Sequence, residues 1–384
     1  MTSEDATKGS VMLAAGGTGG HLFPAFALAE ELGRRGRAVD LVTDMRGDRY
    51  GTGFPARQVY QVPSATLAGK SPVAMARTGL SLARGLVAAS RLMKQVRPAV
   101  VVGFGGYPTF PPLLAASYRG IPTLLHEQNA VLGRANRMLA KRVNAIATSF
   151  SATKLLDGPL AAKARFTGNP VRQVVIDASA LPYETPTAVG PFNILIFGGS
   201  QGARYFSDAM PPALAMLPQD VRGRLQIVQQ CREEDLARVR QAYAEAGIQS
   251  ELATFFKNLP EIMAAAHLVI GRAGASTVAE LTVIGRPALL VPLPHALDND
   301  QLQNATRLAE SGGGWCIQQK ELTPDRLAGE IARLAASPAA LVDGAAAAKR
   351  QGRPDAVQRL ADLVEELAGP AGTKGAKRSS AGQA

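Results

Sequence analysis

The sequence predicts an α/β protein built as two doubly wound parallel-sheet domains, and three observations lead there. Two glycine-rich turns, Ala15-Gly16-Gly17-Thr18-Gly19-Gly20-His21 and Phe197-Gly198-Gly199-Ser200-Gln201-Gly202-Ala203, occupy corresponding places in the two halves, each entered from an apolar strand and each opening a helix. Short β-branched runs alternate with helical segments in both halves, the pattern of a parallel sheet covered on both faces. At 384 residues the chain is also too long for one ordinary core. Glycines at such turns let backbone N–H groups approach an anion, and the helix dipole behind them favours negative charge. Two such turns facing each other suit transfer between two phosphate-bearing substrates.

In the first half, strands are expected over 10–14, 37–43, 58–62, 99–104, 122–126 and 144–149, with helices over 23–32, 72–96, 110–118 and 134–140. In the second half, strands are expected over 192–197, 225–230, 250–254, 267–271 and 287–291. Helices there follow over 204–216, 233–246, 276–284, 301–310 and 324–334. The first domain is set at 10–172 behind a disordered 1–9, and the second at 191–353. The Pro-, Ala- and Thr-rich stretch before Gly190 makes 173–190 the linker, and the Gly-, Ser- and Lys-rich 369–384 reads as a disordered tail.

Composition narrows the function. The formal charge is +11, yet there is no helix-turn-helix, zinc-finger or RNP signature, and aromatic residues are only 5%, poor for base stacking. An anionic membrane surface or a pyrophosphate substrate accounts for the charge without nucleic acid. Cys231 and Cys316 are the only cysteines, which gives no disulfide framework and no zinc pattern, and suits a reducing cytoplasm. Residues 1–10 are polar and the apolar run at 11–15 is too short for a signal peptide; the longest uncharged stretch, 98–118, carries too many Gly and Pro for a membrane span. Other nucleotide motifs fail on spacing: Leu22 stands where the dinucleotide fingerprint needs glycine, and Ser64 where a P-loop does. Asp44 reads as a solvated loop residue.

His21 follows the first glycine turn, where an imidazole can take a proton from an attacking hydroxyl or bond a phosphate oxygen. His126-Glu127-Gln128-Asn129 lies at a strand's carboxyl end, where open α/β sheets place ligands. Tyr107, at the exit of the preceding strand, either lines the cleft or packs. Arg272-Ala273-Gly274-Ala275-Ser276-Thr277-Val278-Ala279-Glu280 runs from strand end into helix, with room for a diphosphate and with Glu280 placed to bind vicinal ribose hydroxyls. Asp298-Asn299-Asp300 matches an Asp-x-Asp metal motif, but its place at a helix start fits capping and sugar contact better. His295 shapes a loop or approaches ligand, and His267 is a packed core residue. Residues 72–96 carry Arg77, Arg84, Arg91 and Lys94 without an acidic residue, beside Leu80, Leu82, Leu86, Val87, Met93 and Val96. That helix suits an anionic leaflet, and Arg134, Arg137, Lys141 and Arg142 would thicken the patch if they lie nearby.

The two glycine turns, Gly105-Gly106-Tyr107, His126-Glu127-Gln128-Asn129, Gly168-Asn169-Pro170-Val171-Arg172 and the 272–280 segment together resemble the MurG family, in order and over residues 11–367. The resemblance implies the GT-B fold, two Rossmann-like domains facing across a cleft, with the C-terminal helix 354–368 crossing back to the first. It implies inverting transfer of N-acetylglucosamine from UDP-N-acetylglucosamine to the 4-hydroxyl of the muramoyl sugar of lipid I, on undecaprenyl diphosphate, giving lipid II. No cofactor and no metal are implied. Ser200 would contact the donor diphosphate, Glu280 the ribose, Phe256 the uracil and Gln301 the sugar. Thr18, Gly19, Gly20, Asn129 and Arg172 would close from the other wall, and His21 would be the base with Glu127 in support. Attachment would be peripheral, to the anionic cytoplasmic leaflet of the bacterial inner membrane, with other cell-wall synthesis and division proteins as partners. Two departures stand out: Asn299-Asp300-Gln301 replaces Asp-His-Gln, and Pro108-Thr109-Phe110-Pro111-Pro112 puts bulk after Tyr107. The competing readings are another GT-B enzyme, such as a UDP-sugar epimerase or a diacylglycerol glycosyltransferase, and a non-enzymatic membrane scaffold.

Overall fold

The computed structural model describes residues 9–16, 19–44, 53–64, 72–294 and 296–369, with the side chains of 72–78, 200–203 and 297 outside the description. The expected disordered residues 1–8, the tail from 370, Thr18 and His295 lie outside the described residues, as do the side chains of Arg77 and Ser200.

The first sheet has strands β1 Val11–Ala14, β2 Val39–Thr43, β3 Gln58–Gln61, β4 Val100–Gly103, β5 Thr123–Glu127, β6 Ala145–Thr148 and β7 Ala164–Phe166. It is parallel throughout, in the order β3-β2-β1-β4-β5-β6-β7. Helices α1 Gly19–Arg34, α2 Pro72–Val96, α3 Phe110–Tyr118 and α4 Arg134–Ala140 join its strands, and α5 Gln173–Ala178 follows β7. The second sheet, β8 Phe192–Phe197, β9 Leu225–Gln230, β10 Gln249–Ala253, β11 Leu268–Gly271, β12 Ala288–Leu290 and β13 Gly314–Cys316, runs β10-β9-β8-β11-β12-β13, also parallel. The helices of this half of the chain are α6 Gly199–Ala215, α7 Gln219–Arg222, α8 Leu236–Glu245, α9 Leu259–Ala265, α10 Ala275–Ile284, α11 Asp300–Glu310, α12 Pro324–Ala335, α13 Pro338–Gln351 and α14 Ala356–Ala368. Strand order reverses beside β1 and beside β8, so each glycine turn leaves its sheet at the switch point where such folds bind ligands.

Register puts apolar residues in rows: Leu13 pairs with Leu41 and Val102, and Ile194 with Leu268 and Ile227. These central strands are buried on both faces, which is why they read as continuous apolar runs. Segments α2, α3, α4, β8 and β9 match their sequence-based bounds. Helices α1 and α6 start earlier than expected because the glycine turns themselves form the first helical turn, and Pro24 lies inside α1. Strands β7 and β13 are three-residue edge strands, too short to show a period.

Helix α14 lies on the first sheet. Leu360, Ala361, Leu363 and Val364 share a core with Val11, Leu13 and Leu28, while Arg35 bonds Asp362 at 2.7 Å and Glu365 at 2.9 Å. A close approach joins the two halves at Gly168, whose φ is 87° and where a Cβ would stand 2.8 Å from that of Arg353. No single helix among the described residues is long and apolar enough to cross a membrane.

Candidate active site

One wall of the cleft is built from the carboxyl ends of β1, β4 and β5. His21 is the third residue of α1, and its ring lies against the turn after β4. Gly105 and Gly106 hold φ of 86° and 72°, and side chains there would come within 3.3 and 3.4 Å of the ring, so glycine serves both the backbone angle and the approach. The Thr109 hydroxyl, 2.7 Å from the Gly105 carbonyl and 3.1 Å from that of Ala14, ties this turn to β1. Tyr107 opens the short 3-10 turn there, partly buried.

His21 Nδ1 stands 3.2 Å from Gln128 Oε1. Gln128 Nε2 lies 2.9 Å from His126 Nδ1 and 3.1 Å from the His126 carbonyl, and His126 Nε2 lies 3.2 Å from the Gly168 carbonyl. Burial lowers the His21 pKa, and the Gln128 bond and the Phe104 carbonyl act against that. His126 is pushed down to about 4 by burial, which outweighs its bond to Gly168.

Glu127 does not support His21 directly. One carboxylate oxygen accepts from the Asn129 backbone at 3.0 Å and its amide at 3.3 Å; the other accepts from Gly133 N at 2.9 Å and Asn136 Nδ2 at 2.7 Å. Side chains alternate along β5, so His126 and Gln128 share a side and Glu127 takes the other. Burial raises its pKa against four opposing bonds. Its role here is to hold the 129–136 loop.

The second wall is the start of α10. Gly274 caps it without a side-chain bond, and the Ser276 hydroxyl is buried without a partner. Glu280 is 8% exposed and its Oε1 is 3.4 Å from Arg172 Nη2. Burial raises its pKa, and the Arg172 charge pulls the other way. The Arg172 guanidinium also lies over the Phe23 ring at 5.0 Å, linking α1 to α10, while its Nε is buried and unpartnered. Gln301 Oε1 accepts from Ala273 N at 3.2 Å and Leu293 N at 3.0 Å, tying two strand ends together. Phe256 is buried just beyond β10, at the far edge of that sheet, and Ser200 lies in the first turn of α6. Gly19 and Gly20 open α1.

The walls are tied across the cleft by residues with little sequence signal. Asn304, wholly buried, accepts from Ala130 N at 2.8 Å and donates to Asn129 Oδ1 at 3.0 Å and to the Ala273 carbonyl at 3.1 Å. Asp298 bonds Arg137 at 3.0 Å and Arg134 at 3.4 Å. Those two arginines therefore belong to the cleft and not to a free basic patch, and Asp298 faces cations of its own chain. Among the described residues no cluster of potential metal ligands forms. Asp44 is buried and not solvated, since it packs beside Gly16 at the end of β2. His267 is a core residue, stacked on Phe192 at 5.9 Å and accepting from Asn193 N. A cavity of about 150 Å³ opens against a different face of α10, lined by Phe150, Phe166, Asn169, Thr282 and Arg353, apart from His21 and Glu280.

Comparison with known proteins agrees with this geometry. Residues 11–148 match the glycosyltransferase family 28 N-terminal domain and 193–360 the family 28 C-terminal domain. A Chelativorans protein, 52% identical over 94% of this chain and 95% of its own, is a UDP-N-acetylglucosamine--N-acetylmuramyl-(pentapeptide) pyrophosphoryl-undecaprenol N-acetylglucosamine transferase. A Rhodopseudomonas palustris protein with that name is 55% identical over 94% of this chain and 96% of its own. The crystal structure of Acinetobacter baumannii MurG superposes with a TM-score of 0.77 at 31% identity, covering 93% of this chain and 99% of that one.

Proposed function

We propose a mechanism from one premise: this chain belongs to the MurG family of glycosyltransferase family 28. It is a transferase moving N-acetylglucosamine from UDP to N-acetylmuramyl-(pentapeptide) pyrophosphoryl-undecaprenol, the step that yields lipid II. One observation carries the mechanism: Arg172 bonds Glu280 of α10 while stacking on Phe23 of α1, so the helices carrying His21 and Glu280 border one cleft.

The donor binds the second wall. Glu280 accepts the ribose hydroxyls, Ser200 and the first turns of α6 and α10 bind the diphosphate, Phe256 lies by the uracil, and the Gln301 amide nitrogen meets the sugar. Thr18, Gly19, Gly20, Asn129 and Arg172 close over it, and Tyr107 borders the acceptor. His21 removes the proton of the acceptor 4-hydroxyl as that oxygen attacks the anomeric carbon. UDP departs from the opposite face, so the α-linked donor gives a β product. Helix N-termini and Arg172 stabilise the departing diphosphate, a role for fixed dipoles that requires no metal.

Attachment to the anionic cytoplasmic leaflet is peripheral, through α2. Its outward stripe is Leu80, Arg84, Val87, Arg91 and Lys94, all exposed and spaced three or four residues apart. Met93, by contrast, is core. Arg142 lies over the exposed Tyr118 ring at 4.9 Å, and Arg119 bonds Ser90 of α2, which extends this face onto the end of α3.

The test is UDP release by the purified protein with UDP-N-acetylglucosamine and a lipid I analogue. Release that depends on that acceptor, with a disaccharide product, is expected. Interconversion of the free UDP-sugar, or preference for diacylglycerol, would overturn the reading.

A further inference from the structure

We propose that Gln128 and His126 are positioning residues that hold His21 in one neutral tautomer, with the proton on Nδ1 and Nε2 bare. The inference deepens the mechanism above and rests on His21 being its base. It follows from what each atom in the row is able to do. The amide nitrogen of Gln128 lies 3.1 Å from the His126 carbonyl oxygen, which only accepts. Turning the amide over would set two oxygens against each other at that distance, in a site where Gln128 is 2% exposed. The nitrogen therefore faces His126, and the amide oxygen faces His21 Nδ1 at 3.2 Å. An amide oxygen only accepts, so Nδ1 carries the hydrogen.

The same reasoning closes the other end. The amide nitrogen has two hydrogens, one for the His126 carbonyl and one for His126 Nδ1 at 2.9 Å. His126 Nδ1 then accepts, and its Nε2 carries a hydrogen that it donates to the Gly168 carbonyl at 3.2 Å. Two backbone carbonyls, of His126 and Gly168, anchor the row, and a carbonyl cannot exchange roles. Gly168 itself holds a left-handed φ, and a Cβ there would collide with Arg353 and with Ala356, the first residue of α14. The tautomer of the base is thus set by the backbone through two side chains. Around His21 lie the Gly105-Gly106 turn and, on β4's side, the Phe104 carbonyl, a second acceptor for a ring N–H; neutral His126 stands behind Gln128, and Glu127 is turned to its own loop.

The consequence is kinetic. Free imidazole exchanges between tautomers, and only the one with a bare Nε2 accepts the substrate proton there. Removing the row also removes the acceptor that strengthens when His21 becomes imidazolium. Nitrogen NMR of the full-length protein, with histidine labelled at both ring nitrogens and His21→Gln used to assign its signals, reads the tautomer without any activity. A protonated Nδ1 and bare Nε2 at neutral pH are expected; a protonated Nε2 would overturn the proposal. Gln128→Met should lower kcat at least about tenfold, as loss of tautomer control does in other histidine bases, with KM for UDP-N-acetylglucosamine within about twofold. Gln128→Glu should move the acidic limb of the pH–rate profile upward, because a carboxylate stabilises imidazolium; a merely structural Gln128 would leave that limb in place, and that result also overturns the proposal. Failure of the underlying reading looks different: the tautomer would be as stated while His21→Ala keeps its turnover.

Discussion

The two walls of the cleft are made differently. On the first, most polar groups around the reacting position are bonded to one another, His21 to Gln128, Gln128 to His126, His126 to Gly168, and Glu127 to four donors, although Asn136 Oδ1 and Thr43 Oγ1 beside the glycine turns are buried without a partner. On the second, several are left over: the Ser276 hydroxyl, Arg172 Nε and Arg272 Nε are buried with no partner, and α10 begins without a side-chain cap. Buried polar atoms are normally satisfied, so a group of orphans beside a helix N-terminus marks where a polar ligand belongs. A wall already bonded to itself is preorganised for chemistry, and a wall with open valences is shaped for binding. Substitutions on the two should therefore fail in different ways.

The largest separation is expected at His21. His21→Ala should cut turnover by about a hundred- to ten-thousandfold, the usual loss for a general base, while UDP binding stays near wild type. Single-turnover kinetics beside calorimetry would show it. If UDP affinity falls as far as the rate, His21 is a phosphate ligand and the contrast between the walls collapses.

Acid should weaken the first wall. His126 is held neutral in the folded protein down to about 4, against about 6.5 in an unfolded chain. Between those values the unfolded state binds the extra proton, so stability is lost as pH falls through that window and no further below it. The loss from this one group reaches about 3 kcal/mol. Urea midpoints at pH 7 and 4.5 measure it, and the difference should shrink in His126→Gln. An unchanged difference would place the acid sensitivity elsewhere.

The second wall should lose binding. Glu280 accepting two ribose hydroxyls makes charge-assisted bonds of about 1.5–3 kcal/mol each. Glu280→Ala should raise the UDP dissociation constant at least about tenfold, one decade per about 1.4 kcal/mol. The variant also leaves Arg172 without its carboxylate, so Glu280→Gln separates the two effects by keeping an acceptor and removing the charge. Wild-type affinity in both would take Glu280 out of the site.

Legibility in the sequence followed the same division. The glycine turns, the strand exits and α10 were readable because each is local: a turn composition, a strand, then a helix. The partner of His21 was not. His126-Glu127-Gln128-Asn129 was visible as a cluster, and the family resemblance put Glu127 in support of His21. Strand alternation gave that place to Gln128, and parity of spacing with His126 was the available signal. Asn304 closes the cleft onto Asn129 from far along the chain, a pairing no local pattern announces. Similarly, Arg134 and Arg137 were readable as cations but not as partners of Asp298, because that pairing exists only once the two sheets face each other.

The walls also belong to domains with different outer surfaces, and the smallest predicted effect lies there. In the first, Arg84 and Arg91 flank exposed Val87 on the outward stripe of α2, with no acidic residue anywhere in that helix. In the second, exposed cations sit among acids: Arg333 bonds Glu330 and Arg307 bonds Glu310, each within its own helix. A leaflet's negative potential acts on uncompensated charge, at about 1 kcal/mol per cation near the surface, and is screened within about 10 Å at 0.1 M salt. Arg91→Gln should therefore weaken binding to anionic vesicles about fivefold, since about 1.4 kcal/mol is a decade. Arg333→Gln on the second domain should change it little, because that charge is already compensated. Added salt should erase the difference between the two variants. Equal loss in both would mean that vesicles respond to net charge alone, and the first domain would then have no membrane face of its own.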